Sequence, residues 1–225
     1  MRLIVSYFIP SNSQREREIN HCLLQNLNNP HIKEMIVLDE SGTLQGKGKM
    51  KVIYQGRPTY GEMIRLFGDG INIISNSDIW FNETITAAEA LQAGPHAYAI
   101  TRTEMVKGQL VKFENAHYNC PPHFSQDVWI FRGRHEFDCF DRVEAWHNTK
   151  RITEVIPFQM GIGGCDNIFA LNLMLKGYSV RNPYNDIICI HEHEDRGRPI
   201  YTHRITGGRG IWGRVQQGRV TNTEL

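Results

Sequence analysis

Apolar residues in this chain come in short bursts, some continuous and some spaced three or four apart. Leu3-Ile4-Val5-Ser6-Tyr7-Phe8 is a continuous run broken by Pro10, the pattern of a central strand opening into a loop. Ser13 and Glu16 have capping-box spacing, and Ile19, Leu23 and Leu27 form a stripe; together they predict a helix to about Asn28, before Pro30. Met35-Ile36-Val37-Leu38, ending in Asp39 and Glu40, reads as a second strand, and Lys51-Val52-Ile53-Tyr54 as a third. Arg57-Pro58-Thr59 then precedes a helix over Tyr60 to Phe67, with Met63 and Phe67 on one face. Ile73-Ile74-Ser75-Asn76-Ser77-Asp78-Ile79 follows, a buried strand ending in small polar side chains and a carboxylate.

Beyond Thr84 the pattern predicts a short helix through Leu91 and a strand from Ala97 to Arg102. The stretch from Met105 to Pro122 alternates only weakly, with a short strand near Val111. Ser125-Gln126-Asp127 leads into the strand Val128-Trp129-Ile130-Phe131. Gly163-Gly164-Cys165-Asp166-Asn167 opens a helix carrying Ile168, Leu171 and Leu175 and closing at Gly177. Tyr178-Ser179-Val180 and Ile187-Ile188-Cys189-Ile190-His191 are the last predicted strands, the latter followed by Glu192 and His193. From about Thr206 the chain turns rich in Gly, Arg and Gln, so one domain over 1–205 and a mobile tail or linker over 206–225 are expected. Strands alternating with helices imply an α/β fold around a mostly parallel sheet, in which ligands collect beyond the carboxyl ends of the strands. Tyr7, Asp39 and Asp78 all fall at such ends.

Composition narrows the classes. Lys and Arg total 25 against 24 Asp and Glu, which argues against a nucleic-acid binder relying on a broad basic face. The five cysteines are scattered and never form a CxxC pair, favouring reduced thiols in a reducing compartment. No run approaches the roughly 18 apolar residues of a membrane-spanning helix, and no secretory leader is expected at the start.

Among candidate chemical groups, Asp78 suits a hard divalent cation, with Asn76 two residues earlier on the same strand face as a weak ligand or a ribose contact. His191 and His193 share a face at another strand end, and either can complete a coordination shell; imidazole beside oxygen suits manganese better than magnesium. Asp166, after glycines and at a helix start, is placed to act as a general base, with Asp127 as the second candidate or an acceptor contact. Tyr7 and Asp39 can hold a nucleoside, while Arg57 and Arg198 can reach phosphate. Each of these residues also has a plain structural reading, as a cap, a core side chain or a solvated charge.

The order strand–Asp39, Arg57–helix, Ile74-Ser75-Asn76-Ser77-Asp78-Ile79, Ser125-Gln126-Asp127, Gly164-Cys165-Asp166-Asn167 and His191-Glu192-His193 resembles the GT-A superfamily of nucleotide-sugar glycosyltransferases. It is particularly similar to small bacterial and large-DNA-virus enzymes of that type, including a glycosyltransferase domain from algal viruses, over about residues 1–204. The resemblance implies a GT-A, Rossmann-like fold: a central mostly parallel mixed sheet flanked by helices. It implies transfer of a sugar, hexosyl or deoxyhexosyl, from a nucleotide-diphosphate donor, commonly UDP-linked, to a glycan hydroxyl. The cofactor would be Mn2+ or Mg2+, and the setting cytoplasmic, that of a host if the chain is viral. A place within a larger multidomain glycosyltransferase is compatible with it.

Within that resemblance the acidic Asp-any-Asp signature maps its second aspartate to Asp78 and its first position to Asn76, with Ser77 between them. The late base of inverting members maps to Asp166, the metal-binding histidine to His191 or His193, and the nucleoside contacts to Tyr7 and Asp39. Two other readings stand beside it. A carbohydrate- or nucleotide-sugar-binding domain without catalysis fits Asn76 in an acidic position. A sugar-phosphate nucleotidyltransferase would want a glycine-rich basic loop after the first strand, which Pro10-Ser11-Asn12-Ser13 does not supply.

Overall fold

The computed structural model describes residues 1–116, 125–136, 143–147, 150–154, 159–161, 165–192 and 221–222. The chain opens with β1 (Arg2–Tyr7), α1 (Ser13–Asn28), β2 (Glu34–Asp39), β3 (Met50–Tyr54) and α2 (Tyr60–Ile64). There follow β4 (Ile71–Ser75), β5 (Ile79–Phe81), a 3-10 segment (Glu83–Ala90) and β6 (His96–Ile100). Next come β7 (Thr103–Val106), β8 (Gln109–Lys112), α3 (Phe113–Ala116), β9 (Val128–Arg132), β10 (Val143–His147) and β11 (Lys150–Glu154). The described elements end with α4 (Cys165–Leu175), β12 (Ser179–Asn182), β13 (Cys189–His191) and β14 (Thr221–Asn222).

Eight strands form one mixed sheet in the order β14-β12-β6-β9-β4-β1-β2-β3. Only β9 runs antiparallel to its neighbours, β4 and β6; the remaining pairs are parallel. Alternation divides the core between the two faces of this sheet. Ile4, Ile36, Ile74, Trp129 and Phe131 pack on one side with Tyr60 and Met63 of α2 and Phe169 and Leu173 of α4. Leu3, Val5, Val37, Ile73 and Ile130 pack on the other with Ile19 of α1 and Ile85 of the 3-10 segment. Because both faces are covered, the strands read as unbroken apolar runs.

The architecture is therefore α/β with a mixed sheet flanked by helices, but the strands do not all join it. A second, four-stranded sheet has the order β5-β13-β7-β8, and β10 pairs with β11 as a separate hairpin. The polar turn after β4 is what divides the sheets. β4 ends at Ser75, the Ile79 N–H donates to the Asn76 carbonyl at 3.3 Å, and the chain re-enters as β5 in the smaller sheet. Asn76 and Asp78 thus lie in a turn, not on one strand face as the alternation suggested.

Other boundaries also moved. Asn12, not Ser13, caps α1, its side chain accepting from the Gln14 and Arg15 N–H groups. The capping box is at α2 instead, between Thr59 and Glu62, and α2 stops at Ile64 rather than Phe67. The segment after Thr84 is 3-10, started by Asn82. Within the stretch expected to be irregular, β7 and β8 form a hairpin whose turn, Lys107-Gly108, has φ of 51° and 76°. Two successive left-handed residues match the twist of a tight hairpin, the second being the glycine that such a turn favours. Most of the expected tail lies outside the described residues; within it Thr221–Asn222 pairs with β12. Among the described residues no helix is long and apolar enough to cross a membrane.

The small sheet is fastened to α1 by side-chain amides. β5 pairs with β13 on one side, and on the other the buried Asn26 donates to the Ile79 carbonyl at 2.8 Å and accepts from the Phe81 N–H at 3.2 Å. Asn29 donates to the Phe81 carbonyl at 2.9 Å. Asn26→Ala would strand a buried donor and a buried acceptor at roughly 1–3 kcal/mol each. Urea denaturation should therefore show a loss of roughly 2–6 kcal/mol. A loss below about 0.5 kcal/mol, the scale of an ordinary surface change, would contradict this role for the amide.

Candidate functional site

The turn between β4 and β5 carries Asp78 to the point where the two sheets meet. Its backbone carbonyl accepts from the Glu192 N–H at 3.1 Å, extending the β5–β13 pairing by one step. That register sets His191, the last residue of β13, beside it: His191 Nε2 lies 2.9 Å from Asp78 Oδ2. Arg15, in the first turn of α1, forms an ion pair with the same oxygen. Its guanidinium also donates to Glu18 at 3.0 Å and to the Glu192 carbonyl at 3.2 Å. The second carboxylate oxygen, Asp78 Oδ1, is buried and has no hydrogen-bond partner among the described residues.

A chain of alternating charge continues from His191. Its Nδ1 lies 2.6 Å from Glu104 Oε2, and Glu104 Oε1 accepts from Arg102 Nε at 2.6 Å. Arg102 Nη1 reaches both oxygens of Asp127, at 3.1 and 3.0 Å, and also Ser125 Oγ at 2.9 Å. Ser125 donates to Asp127 Oδ2 at 2.6 Å, and Asn76 Nδ2 donates to Asp127 Oδ1 at 2.9 Å. Asp78, Glu104, Asp127 and His191 are all buried.

Pairing offsets the electrostatic penalty of that burial. Burial alone would raise the Asp78 carboxyl; protonated His191 and the Arg15 guanidinium outweigh it and hold the group far below the usual carboxylate range. Burial would likewise lower His191, but Asp78 and Glu104 lift it to about 9. Glu104 is opposed by burial and held well down by His191 and Arg102.

Of the residues singled out in the sequence, Asn76, Asp127, Asp78 and His191 are thus brought into one network, the first pair joined to the second through Arg102 and Glu104. Ser77 is half-buried in the turn between them. Tyr7 and Asp39 form a second group, at paired positions closing β1 and β2. The Tyr7 ring is in the core and its hydroxyl donates to Asn20 at 3.1 Å. Asp39 is fully buried and its oxygens hold their own loop, accepting from the Ser41 N–H at 2.8 Å, the Ser41 hydroxyl at 2.5 Å and the Leu44 N–H at 2.9 Å. Arg57 is exposed next to this loop, 3.4 Å from Glu40 and 5.9 Å from the centre of the Phe8 ring. Asp166 is half-buried in the first turn of α4, after Cys165, whose thiol lies 3.8 Å from the buried Tyr60 hydroxyl. His193, Arg198 and the glycines Gly163 and Gly164 lie outside the described residues.

Sequence reading missed Arg15, Arg102 and Glu104. Arg15 sits among other charges in a helix that looks solvated from its composition, Arg15-Glu16-Arg17-Glu18. Arg102 and Glu104 have opposite charges two residues apart at a strand end, a signal that period-two geometry can flag but not assign. Among the described residues no three His, Cys, Asp or Glu side chains converge as a ready-made metal centre.

No protein-family model and no curated protein sequence matches this chain. Solved structures do match in fold. A mannosyltransferase from Pyrobaculum calidifontis, PcManGT, solved with GDP-Man and Mn2+, aligns with a TM-score of 0.50 at 13% identity. The alignment covers 87% of this chain and 57% of that one, so the chain spans little more than half of its length. TarS from S. aureus, with UDP-GlcNAc, gives a TM-score of 0.37 at 16% identity over 58% of this chain and 44% of its own. A Drosophila β-1,4-galactosyltransferase 7 mutant, with manganese, UDP-Gal and xylobiose, gives 0.42 at 10% identity over 99% and 82%. What the chain shares with the archaeal mannosyltransferase is its overall α/β fold.

The Asp39 loop yields a pH prediction. Burial raises this carboxyl, but the Ser41 hydroxyl and the Leu44, Ser41 and Gly42 amides outweigh it and leave it below its ordinary 3.8. A depressed carboxyl contributes stability above its unfolded value, and that contribution is lost as pH falls through the lower folded value. Urea midpoints should separate the native chain from Asp39→Asn at pH 6 and converge below pH 3.8. A gap that persisted undiminished in acid would rule out an ionised Asp39 as its source.

Proposed function

We propose that this chain is a metal-dependent glycosyltransferase that moves a sugar from a nucleotide-diphosphate donor, UDP-linked by preference, to a glycan hydroxyl. The observation that carries the reading is Asp78 itself: a carboxylate held ionised in a buried turn, with one oxygen left without a partner among the described residues and an imidazole nitrogen beside it. The α/β fold, and its likeness to a mannosyltransferase solved with GDP-Man and Mn2+, support the same class.

The residues present fit a divalent cation. Asp78 Oδ1 is an oxygen donor that no described residue satisfies, and buried orphans of that kind are rare. His191 Nε2 offers a borderline-soft nitrogen 2.9 Å from the other carboxylate oxygen, and oxygen with imidazole suits Mn2+. Asp78 and His191 would hold the ion, leaving other positions for diphosphate oxygens. When bound, it would supply Lewis acidity that offsets the charge growing on the nucleoside diphosphate as the sugar departs.

The rest of the work falls to the chain's own side chains. Arg15, already on Asp78, adds a fixed positive charge where the diphosphate would lie. Asn76 is turned onto Asp127, so its part is to hold the turn rather than to bind the ion. Asp127 has both oxygens engaged by donors, which fits it to hold Arg102 and Asn76 in place. Asp166 is the acid–base group of this reading: its carboxylate accepts the acceptor hydroxyl's proton as the new glycosidic bond forms, giving inversion. Arg57, exposed near the ends of β1 and β2, would meet the nucleotide, with Tyr7 and Asp39 shaping the floor beneath it. We assign the whole of residues 1–205 to this catalytic unit. The buried free thiols of Cys22 and Cys189 favour a reducing, cytoplasmic setting for it.

The test is turnover of UDP- and GDP-sugars with and without Mn2+, in the native chain, Asp78→Ala and Asp166→Ala. Metal-stimulated release of the nucleoside diphosphate should fall about 100-fold or more in both variants, the scale of a lost acid–base group. Full activity in Asp78→Ala would end the proposal. Nucleotide binding with no turnover under any metal would point to a carbohydrate- or nucleotide-sugar-binding domain instead.

A further inference from the structure

Resting on the cation reading above, we infer that Glu104 is a positioning residue that orients His191 as a metal ligand, and that Arg102 in turn holds Glu104. The geometry is that of a carboxylate–histidine–metal arrangement in which the carboxylate comes from a neighbouring strand.

Strand register makes the pair. β13 and β7 run parallel with His191 directly paired to Glu104, so both side chains leave the sheet at the same level. Glu104 Oε2 sits 2.6 Å from Nδ1, the ring nitrogen facing away from Asp78. With no ion bound, both ring nitrogens face carboxylates and the ring is protonated. An arriving cation would displace the Nε2 proton, while the bond from Nδ1 to Glu104 keeps the other proton in place and leaves Nε2 as the donor atom. Nε2 is the nitrogen 2.9 Å from Asp78. The ring is thereby aimed at Asp78, whose other oxygen is bonded by no described residue.

The glutamate is itself held. Arg102 Nε takes its other oxygen at 2.6 Å, while Arg102 Nη1 is anchored on Asp127 and Ser125, and the guanidinium lies 5.2 Å from the centre of the Phe113 ring. A glutamate with one oxygen on Arg102 and the other on His191 is restricted to a narrow set of rotamers. Burying so many charges is expensive, and apolar residues of similar volume often give equal or better stability. Ring orientation accounts for the expense; a histidine serving only to end a strand would need no more than a backbone carbonyl.

Mn2+ alone is the probe, titrated into the full chain and followed by electron paramagnetic resonance of the free ion, with thermal unfolding in parallel. Glu104→Gln keeps the shape and removes the charge; Glu104→Asp keeps the charge and withdraws the oxygen by one methylene. Both should weaken Mn2+ binding about 10–100-fold, the usual cost of losing such a partner. The readout is ion affinity in folded protein, which a purely structural role would leave unchanged. Native-like Mn2+ affinity in both variants, with binding lost in Asp78→Ala, would overturn the role of Glu104 and leave the cation reading standing. No Mn2+ binding by the native chain, or binding undiminished in Asp78→Ala, would overturn both.

Discussion

A carboxylate that stays ionised out of water must be compensated, and Asp78 is the place where this fold meets that requirement. Arg15 arrives from α1, His191 from β13, and both converge on one oxygen. Everything nearby follows from keeping those cations neutralised in turn: Glu18 on Arg15, Glu104 on His191, Arg102 on Glu104 and Asp127 on Arg102. Removing one member would leave its neighbour as an uncompensated buried charge, so the cluster behaves as a unit. It ties α1, the β4–β5 turn, β7, β13 and the segment before β9 to a single point.

The division of strands between two sheets serves the same end. If β4 had continued straight, Asp78 would have lain along the large sheet with no partner strand bearing histidine. The turn at Asn76–Asp78 hands the chain to the small sheet, where β5 meets β13 and then β7. Asn76 stabilises the hand-over twice, with its amide on the Asp127 carboxylate and its backbone N–H on the Asp127 carbonyl. The segment preceding β9 is thereby clamped to the end of β4, with Ser75 and Val128 already paired in the ladder.

Much of the large sheet was legible in the sequence because its strands are covered on both faces. Leu3 to Val5, Met35 to Leu38 and Val128 to Phe131 are apolar without interruption, a pattern few other structures produce. Asp78 and His191 stood out for a related reason: each is polar directly against such a run. The small sheet was harder. The strand ending at His191 and the short one near Val111 were read, as β13 and β8, but β5 is only three residues long, β7 was not seen, and nothing local joined the four into one sheet. The Glu104–His191 contact spans 87 residues of sequence, so no local window contains it. Asn76 was misplaced on a strand because Ser-Asn-Ser-Asp has a turn composition that the preceding apolar run outweighed. Asp39 was named as a nucleoside contact without sight of its loop, whose Ser41 and Leu44 amides bond its carboxylate.

The amides of Asn26 and Asn29 also bear on what can associate with this molecule. By taking the backbone groups along the outer side of β5, they deny that rim to any incoming strand, whether a peptide or a second copy of the chain. Unpaired rims invite such addition, and proteins commonly blunt them with cover or with lysine. Among the described residues the other edge of the small sheet is β8, whose four residues include Gln109 and Lys112. One flank is sealed from within the fold and the other carries a lysine, so both edges resist the addition of a further strand.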